Sequence, residues 1–333
     1  MELKLGKLPP EVLEKYLVGM TGARSRDLVV GPSIGVDFGV VRHGNTQLIV
    51  SSDPVTGVKE RVGWYAVNVS ANDIATSGNR PQFLQSVILL PERASVRDVA
   101  RISFEMDRTA SSLGITIVGG HTELTPGLRR PIVITTAFAF ASSYVTAADA
   151  KEGDAILITK SAAVEGTAIC ASDSLALSGK VDPAVIKRAK RFLRKLSVVD
   201  EAAAAFATGA VHAMHDCTEG GVLGAVFEMS RASKLGFELR EESIPVAAET
   251  AAVCSALGLD PLRLISSGTL LISAEAGRER EVVQAVANAG SKAAVIGRFR
   301  KGSRRLVHGD GSVETIAHAP TDELWKLIGK QGM

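Results

Sequence analysis

Asp37, Asp53 and Asp73 are three separated carboxylates, each beside glycine or an apolar run, and together they offer the oxygen ligands that a hard cation takes. Asp37 follows the chain break Gly31-Pro32-Ser33-Ile34-Gly35. Asp53 closes the apolar run Gln47-Leu48-Ile49-Val50-Ser51-Ser52, and Asp73 lies in Asn68-Val69-Ser70-Ala71-Asn72-Asp73-Ile74-Ala75. In a helix, Asn68 and Asn72 share one face and Asp73 sits about 100° further round. The remaining positions, Trp64, Ala66, Val67, Val69, Ala71, Ile74 and Ala75, are apolar, so a carboxylate buried there needs a partner. Magnesium with substrate phosphates is one such partner. An Asp73 that caps a neighbouring helix, with the asparagines bridging backbone groups, is the other reading.

Further groups are weaker alone. Gly119-Gly120-His121-Thr122-Glu123 follows an apolar strand and reads as a turn whose N–H groups approach an anion, although double glycines also make plain tight turns. Lys59 is a candidate to meet phosphate charge, against the alternative of a solvated loop lysine. Gly220-Gly221 opens a helix and is a second place for an anion. His212 and His215 lack a third metal ligand nearby and read as two histidines on a turn, hydrogen-bonded to backbone. Cys217 has acidic neighbours, Asp216 and Glu219, which raise rather than lower a thiol pKa, and Cys170 and Cys254 read as packing residues. The G-x-x-x-x-G-K-[ST], G-x-G-x-x-G and H-E-x-x-H signatures are absent.

These residues need a frame. The pattern predicts a short helix from Pro10 to Met20, a strand ending at Asp53, a helix from Arg61 to Ser77 stopped by Gly78 and Pro81, and a helix from about Ser95 to Leu113. Strands Ile115 to Val118 and Pro131 to Ala141 complete the first half. A strand from Ala155 to Thr159, helices from Pro183 to Lys195 and Val198 to Thr208, a turn at His215 to Gly221, and strands near Gly268 to Ser273, Ala293 to Phe299 and Arg304 to His308 fill the second. This order predicts a mixed α/β (α+β) fold of helices packed on sheets, with domains over 1–148 and 149–333.

Composition narrows the function. A length of 333 residues suits two domains, and a net charge of +2, from 38 Lys+Arg against 36 Asp+Glu, supplies no field for gathering nucleic acid or an acidic membrane. Three scattered cysteines and no long apolar run suggest a cytoplasmic protein acting on small molecules.

Four spaced motifs resemble the aminoimidazole ribotide (AIR) synthetase, or PurM-like, superfamily over nearly the whole chain: Asp53; Asn72-Asp73-Ile74-Ala75 with Gly78 and Pro81; Gly119-Gly120-His121-Thr122; and Asp216-Cys217-Thr218-Glu219-Gly220-Gly221 with Ser266-Ser267-Gly268-Thr269. The resemblance implies a homodimer whose N-terminal sheets pair into a barrel, with ATP along the joint. It implies that Asp37, Asp53 and Asp73 hold Mg2+ and nucleotide phosphates, with Asn72 beside them and Gly119, Gly120, His121 and Thr122 lining the phosphate site. Lys59 and Asp216 become the candidate catalytic residues.

The sequence departs from that pattern at Val36 and His121, both at positions usually acidic. It looks closest to the hydrogenase-maturation branch, HypE and its archaeal relatives. That branch implies a small-molecule or protein-bound carbamoyl or amide substrate and a maturation-factor partner protein. Its terminal cysteine is not found in Trp325-Lys326-Leu327-Ile328-Gly329-Lys330-Gln331-Gly332-Met333, so a different form of substrate is expected. A thiamine-monophosphate-kinase-like phosphotransferase and a catalytically weak nucleotide-binding assembly protein are the alternatives.

Overall fold

The computed structural model describes residues 6–58, 60–172 and 174–328. Two sheets organise it. The first contains β1 (Leu28–Val30), β2 (Gly39–His43), β3 (Thr46–Val55), β4 (Phe83–Pro91), β5 (Thr116–Thr125) and β6 (Ile132–Ala141), in the order β1-β2-β3-β6-β4-β5. Its pairs are antiparallel except β4 with β5. The second contains β7 (Ala155–Thr159), β8 (Val211–Cys217), β9 (Gly236–Arg240), β10 (Thr269–Ala274), β11 (Ala293–Arg300), β12 (Arg304–Val307) and β13 (Val313–Thr315), in the order β13-β12-β9-β11-β7-β10-β8.

Strand alternation decides which residues of the first sheet meet the core. Ile49, Ser51, Asp53 and Val55 of β3 face the helix Val62–Ala75, while Leu48, Val50, Ile134, Phe138, Val87 and Leu89 form an only partly covered apolar face on the other side. The helix itself is buried on nearly every side, which explains why its sequence is apolar all round rather than striped. A second helix, Val96–Leu113, packs on it through Ile102, Met106 and Ala110 and begins with a reciprocal cap in which the Ser95 N–H donates to Asp98 at 2.8 Å.

In the second sheet β7 and β10 are buried along their whole length, because both faces are covered. Leu157, Leu270 and Ile272 join a core with helices Val199–Phe206 and Glu279–Asn288, and Ile156, Ile158 and Leu271 join another with helix Gly221–Ser233. The first of these cores also contains Val62, Ala66 and Ala71, so the two halves share one hydrophobic interior. Asn72 reinforces the joint. Its amide donates to Leu196 O at 2.9 Å and its oxygen accepts from Val198 N–H at 2.9 Å.

Several expectations need correction. Asp53 does not end its strand, which continues to Val55 in register with β6. Gly119-Gly120 is not a turn but lies inside β5, which runs on to Thr125 with a register shift at that point. A Cβ at Gly120 would lie 2.0 Å from Ser86 O, so glycine is what lets β5 close on β4. His215, Asp216 and Cys217 belong to β8, and only the residues after them turn. The opening helix ends at Leu13 and continues as a wider turn over Glu14–Val18. No helix among the described residues is long and apolar enough to cross a membrane.

Candidate functional site

The carboxylates converge where β3, the helix Val62–Ala75 and β8 meet. Ser51 and Asp53 share a face of β3, and Ser51 Oγ donates to Asp73 Oδ2 at 2.6 Å. Asp53 lies within hydrogen-bonding reach of Asp73, and Asp216 and Asp37 act on the same group through their charge. Burial, followed by these three neighbouring carboxylates, pushes Asp73 well above the usual range.

On β8, alternation sends adjacent side chains to opposite sides. His215 turns toward the helix Gly221–Ser233, where Nε2 lies 3.0 Å from Glu228 Oε2, and Nδ1 lies 2.8 Å from Asp37 Oδ2. Burial opposes its charge, but the two carboxylates prevail and raise the imidazole to about 10, so it is an imidazolium at neutral pH. Its partner Glu228 is lowered to about 2, because hydrogen bonds and charge from His215 and Lys7 outweigh burial. Asp216 is raised to about 8, first by burial and then by Asp37.

Lys7 was not singled out in the sequence. Its Nζ donates to Glu228 Oε1 at 2.6 Å and its backbone N–H to Glu219 Oε2 at 2.6 Å, so the N-terminal segment is fastened over the acidic group. Lys7, Glu228, His215 and Asp37 thus form a line of alternating charge. Gly35 makes this possible: a Cβ there would lie 2.7 Å from Glu228 O, and the close approach brings Asp37 to the helix. A cavity of about 590 Å³ opens beside this line, with Asp37, Glu219 and Glu228 in its wall.

The structure brings together Asp37, Asp53, Asp73 and Asp216 but not the other candidates. Asn72 spends both polar atoms on the backbone of the second half rather than facing the acidic group. Gly119, Gly120, His121 and Thr122 lie on the exposed edge strand β5. Register nonetheless sets Gly120 in one cross-sheet row with Ser86, Thr135 and Asp53, about 14 Å away at three strand spacings. His121 is exposed and pairs with Glu123 at 3.0 Å. Lys59 lies outside the described residues. The anion expected at Gly220-Gly221 is supplied by the chain itself, since Gly220 N–H donates to Asp322 Oδ2 at 2.7 Å. His212 and His215 bond carboxylates rather than backbone, His212 Nδ1 lying 3.0 Å from Asp154. Cys217 is buried and its thiol is pushed well up by burial and by Asp216.

The group fits a magnesium ion by its chemistry. Ligand atoms of Asp37, His215 and Asp216 all lie within 4.8 Å of one another, and Asp216 Oδ2 is buried without a hydrogen-bond partner. Both nitrogens of His215 are held by carboxylates, leaving an all-oxygen set from Asp37 and Asp216, with Asp53 and Asp73 behind, as magnesium prefers. Like carboxylates so close repel unless protonated or bridged by a cation, which adds to burial in raising Asp73 and Asp216.

Residues 35–141 match the family described as AIR synthase related protein, N-terminal domain, and residues 151–309 match its C-terminal domain. Carbamoyl dehydratase HypE of Escherichia coli strain K12 is 30% identical over 263 residues, covering 76% of this chain and 75% of that protein. A crystal structure of a HypE–HypF complex superposes with a TM-score of 0.76 at 19% identity, covering 92% of this chain and 99% of that one. The hydrogenase maturation protein HypE in complex with ATP gives a TM-score of 0.67 at 20% identity, covering 92% and 93%.

Proposed function

We propose, on the premise that this chain belongs to the AIR synthase related protein family, that it is an ATP-dependent enzyme which activates a carbamoyl or amide oxygen by phosphoryl transfer. The observation that carries the reading is the convergence of Asp37, Asp53, Asp73 and Asp216 around a buried, unpartnered oxygen of Asp216. The E. coli relative is named a carbamoyl dehydratase, which supports this substrate class.

In this reading Asp37 and Asp216 hold the cation, and Asp53 and Asp73 complete the acidic wall. Magnesium held there supplies charge neutralisation to the nucleotide phosphates. His215 fixes the direction of Asp37 and, as an imidazolium, offsets the repulsion among the carboxylates. Lys7 brings an ammonium to the rim and balances Glu228. Cys170, Cys217 and Cys254 are all buried, which supports an acceptor other than these three thiols.

A second copy of the chain and a maturation-factor protein belong to the same proposal. The partly covered apolar face around Leu48, Val50, Phe138 and Val87 is a surface suited to pairing with its own copy. The HypE–HypF complex supports a protein partner for the relative's fold.

Titration calorimetry with ATP, with magnesium and then with EDTA, tests the site. Magnesium-dependent binding followed by ADP release in the presence of a carbamoylated peptide is expected. Equal binding with and without magnesium would overturn the assignment, and binding without turnover would favour the assembly role.

A further inference from the structure

The cavity beside the acidic line contains a cation that the protein leaves short of partners. Lys7 is matched by Glu228, and Arg231 by Glu14 at 2.6 Å and Glu11 at 3.4 Å. Arg304 has no carboxylate partner among the described residues. Its Nε donates to Ser230 Oγ at 2.6 Å, and its guanidinium carbon lies 4.9 Å from the centroid of the Phe227 ring. Ser230 Oγ donates in turn to Leu235 O, so its oxygen is set to accept from Arg304. The side chain is thus fixed at one edge and one face. Its two terminal nitrogens, the fork that grips carboxylate or phosphate, remain without a protein acceptor among the described residues.

Burial and the like charge of Arg231 both act against the charge on Arg304, so an anion arriving there relieves an existing cost. The anions in the same wall are already engaged: Glu228 with Lys7 and His215, Glu219 with the Lys7 N–H, and Asp322 with the Gly220 N–H. Leu8, Pro10, Leu13, Phe227 and Trp325 give the rest of the wall apolar stretches, interrupted by Ser33, His318 and Thr321. A volume of about 590 Å³ is in the range of small-molecule sites.

We propose that this cavity is the acceptor site and that Arg304 anchors an oxyanion of the acceptor, a carboxylate or a phosphate, with its apolar body against Phe227. The proposal rests on the phosphoryl-transfer reading, since Asp37 lines the same cavity and belongs to the acidic group. The acceptor is then a small amphipathic anion whose reacting oxygen points to Asp37 and whose charged end points away from it.

Benzoate, phenyl phosphate and uncharged benzamide, titrated into the full-length protein with magnesium and a non-hydrolysable ATP analogue, test this. Benzoate or phenyl phosphate is expected to bind at least about tenfold more tightly than benzamide, as a charge-assisted hydrogen bond implies. Arg304→Gln erases that preference and Arg304→Lys retains part of it, with melting temperature and nucleotide affinity unchanged. The better of the two anions identifies the oxyanion. No preference in the native protein, or one that survives Arg304→Gln, overturns the anchor. Intact magnesium-dependent nucleotide binding in those samples confines the failure to the anchor, whereas its absence sinks the phosphoryl-transfer reading as well.

Discussion

His215 Nδ1 and Asp37 Oδ2 meet at 2.8 Å across the joint between the two sheets, and the same imidazole reaches Glu228 at 3.0 Å on its other side. An acidic group assembled from both halves is therefore held by a positive charge that belongs to the chain itself.

That charge predicts a pH window for the metal-free protein. With the folded pKa of His215 raised to about 10, its contribution is fully present below the unfolded value of 6.5 and is lost as pH rises toward 10. Glu228, lowered to about 2, contributes above its unfolded value of 4.5 and loses that contribution as pH falls toward 2. Urea denaturation across pH should show the pair most effective between these unfolded values, and His215→Gln should flatten the decline above pH 7. An unchanged profile would remove His215 from the network.

Magnesium binding at pH 7 should release protons. Asp216, at about 8, is mostly protonated there and must ionise to become a ligand. Calorimetry in buffers of different ionisation enthalpy reads the number released, and a value of zero would exclude Asp216 as a ligand.

Asp53→Ala and Asp73→Ala should each weaken magnesium-dependent ATP binding by about a hundredfold or more, in line with the loss of a buried charged partner. The melting temperature of the metal-free protein should not fall, because each change removes one of several repelling carboxylates. Full ATP affinity in both variants would sink the site assignment.

Asn72→Ala should cost about 2–4 kcal/mol, since it leaves Leu196 O and Val198 N–H without their partner inside the protein. Urea unfolding measures it. A loss of ATP affinity without a loss of stability would return Asn72 to the nucleotide site.

Glu165 gives a separate stability test. It is buried, its Oε2 lacks a partner, and burial raises it to about 7. A raised carboxyl loses stability as pH climbs from its unfolded 4.5 to about 7, so Glu165→Gln should gain about 1–3 kcal/mol at pH 8 and little at pH 4. A variant less stable at pH 8 would mean that the hydrogen bonds between Glu165 and Ser267 outweigh the cost of its burial.

Much of the frame was legible because local signals agreed. The Ala155–Thr159 strand has the expected bounds, and Ser95, one residue before the observed helix, carries the cap. β4, Phe83-Leu84-Gln85-Ser86-Val87-Ile88-Leu89-Leu90, is apolar but alternates only weakly, and it lies outside the strands that the pattern predicts, as do β2 and β9. Asp37, Asp53 and Asp73 were legible as a set through glycine, strand and resemblance. Lys7 and Glu228 were not, because no local spacing connects residues 221 positions apart. Gly119-Gly120 misled for a physical reason: glycine can make a turn or permit close approach, and the pressure of Ser86 selects the second.

The shared core and the Asn72 clasp leave the two halves little freedom to part like jaws. Access to the cavity therefore falls to the segment from Lys7 to Leu13, held by Lys7 to Glu228 and followed by Glu11 and Glu14 on Arg231. Exposed ion pairs such as those on Arg231 are worth at most about 1 kcal/mol each and weaken in salt, whereas an apolar interior does not. Ionic strength thus governs the traffic of ligands without governing the integrity of the fold, and exchange of product for substrate should quicken in salt at concentrations that leave the melting temperature unchanged.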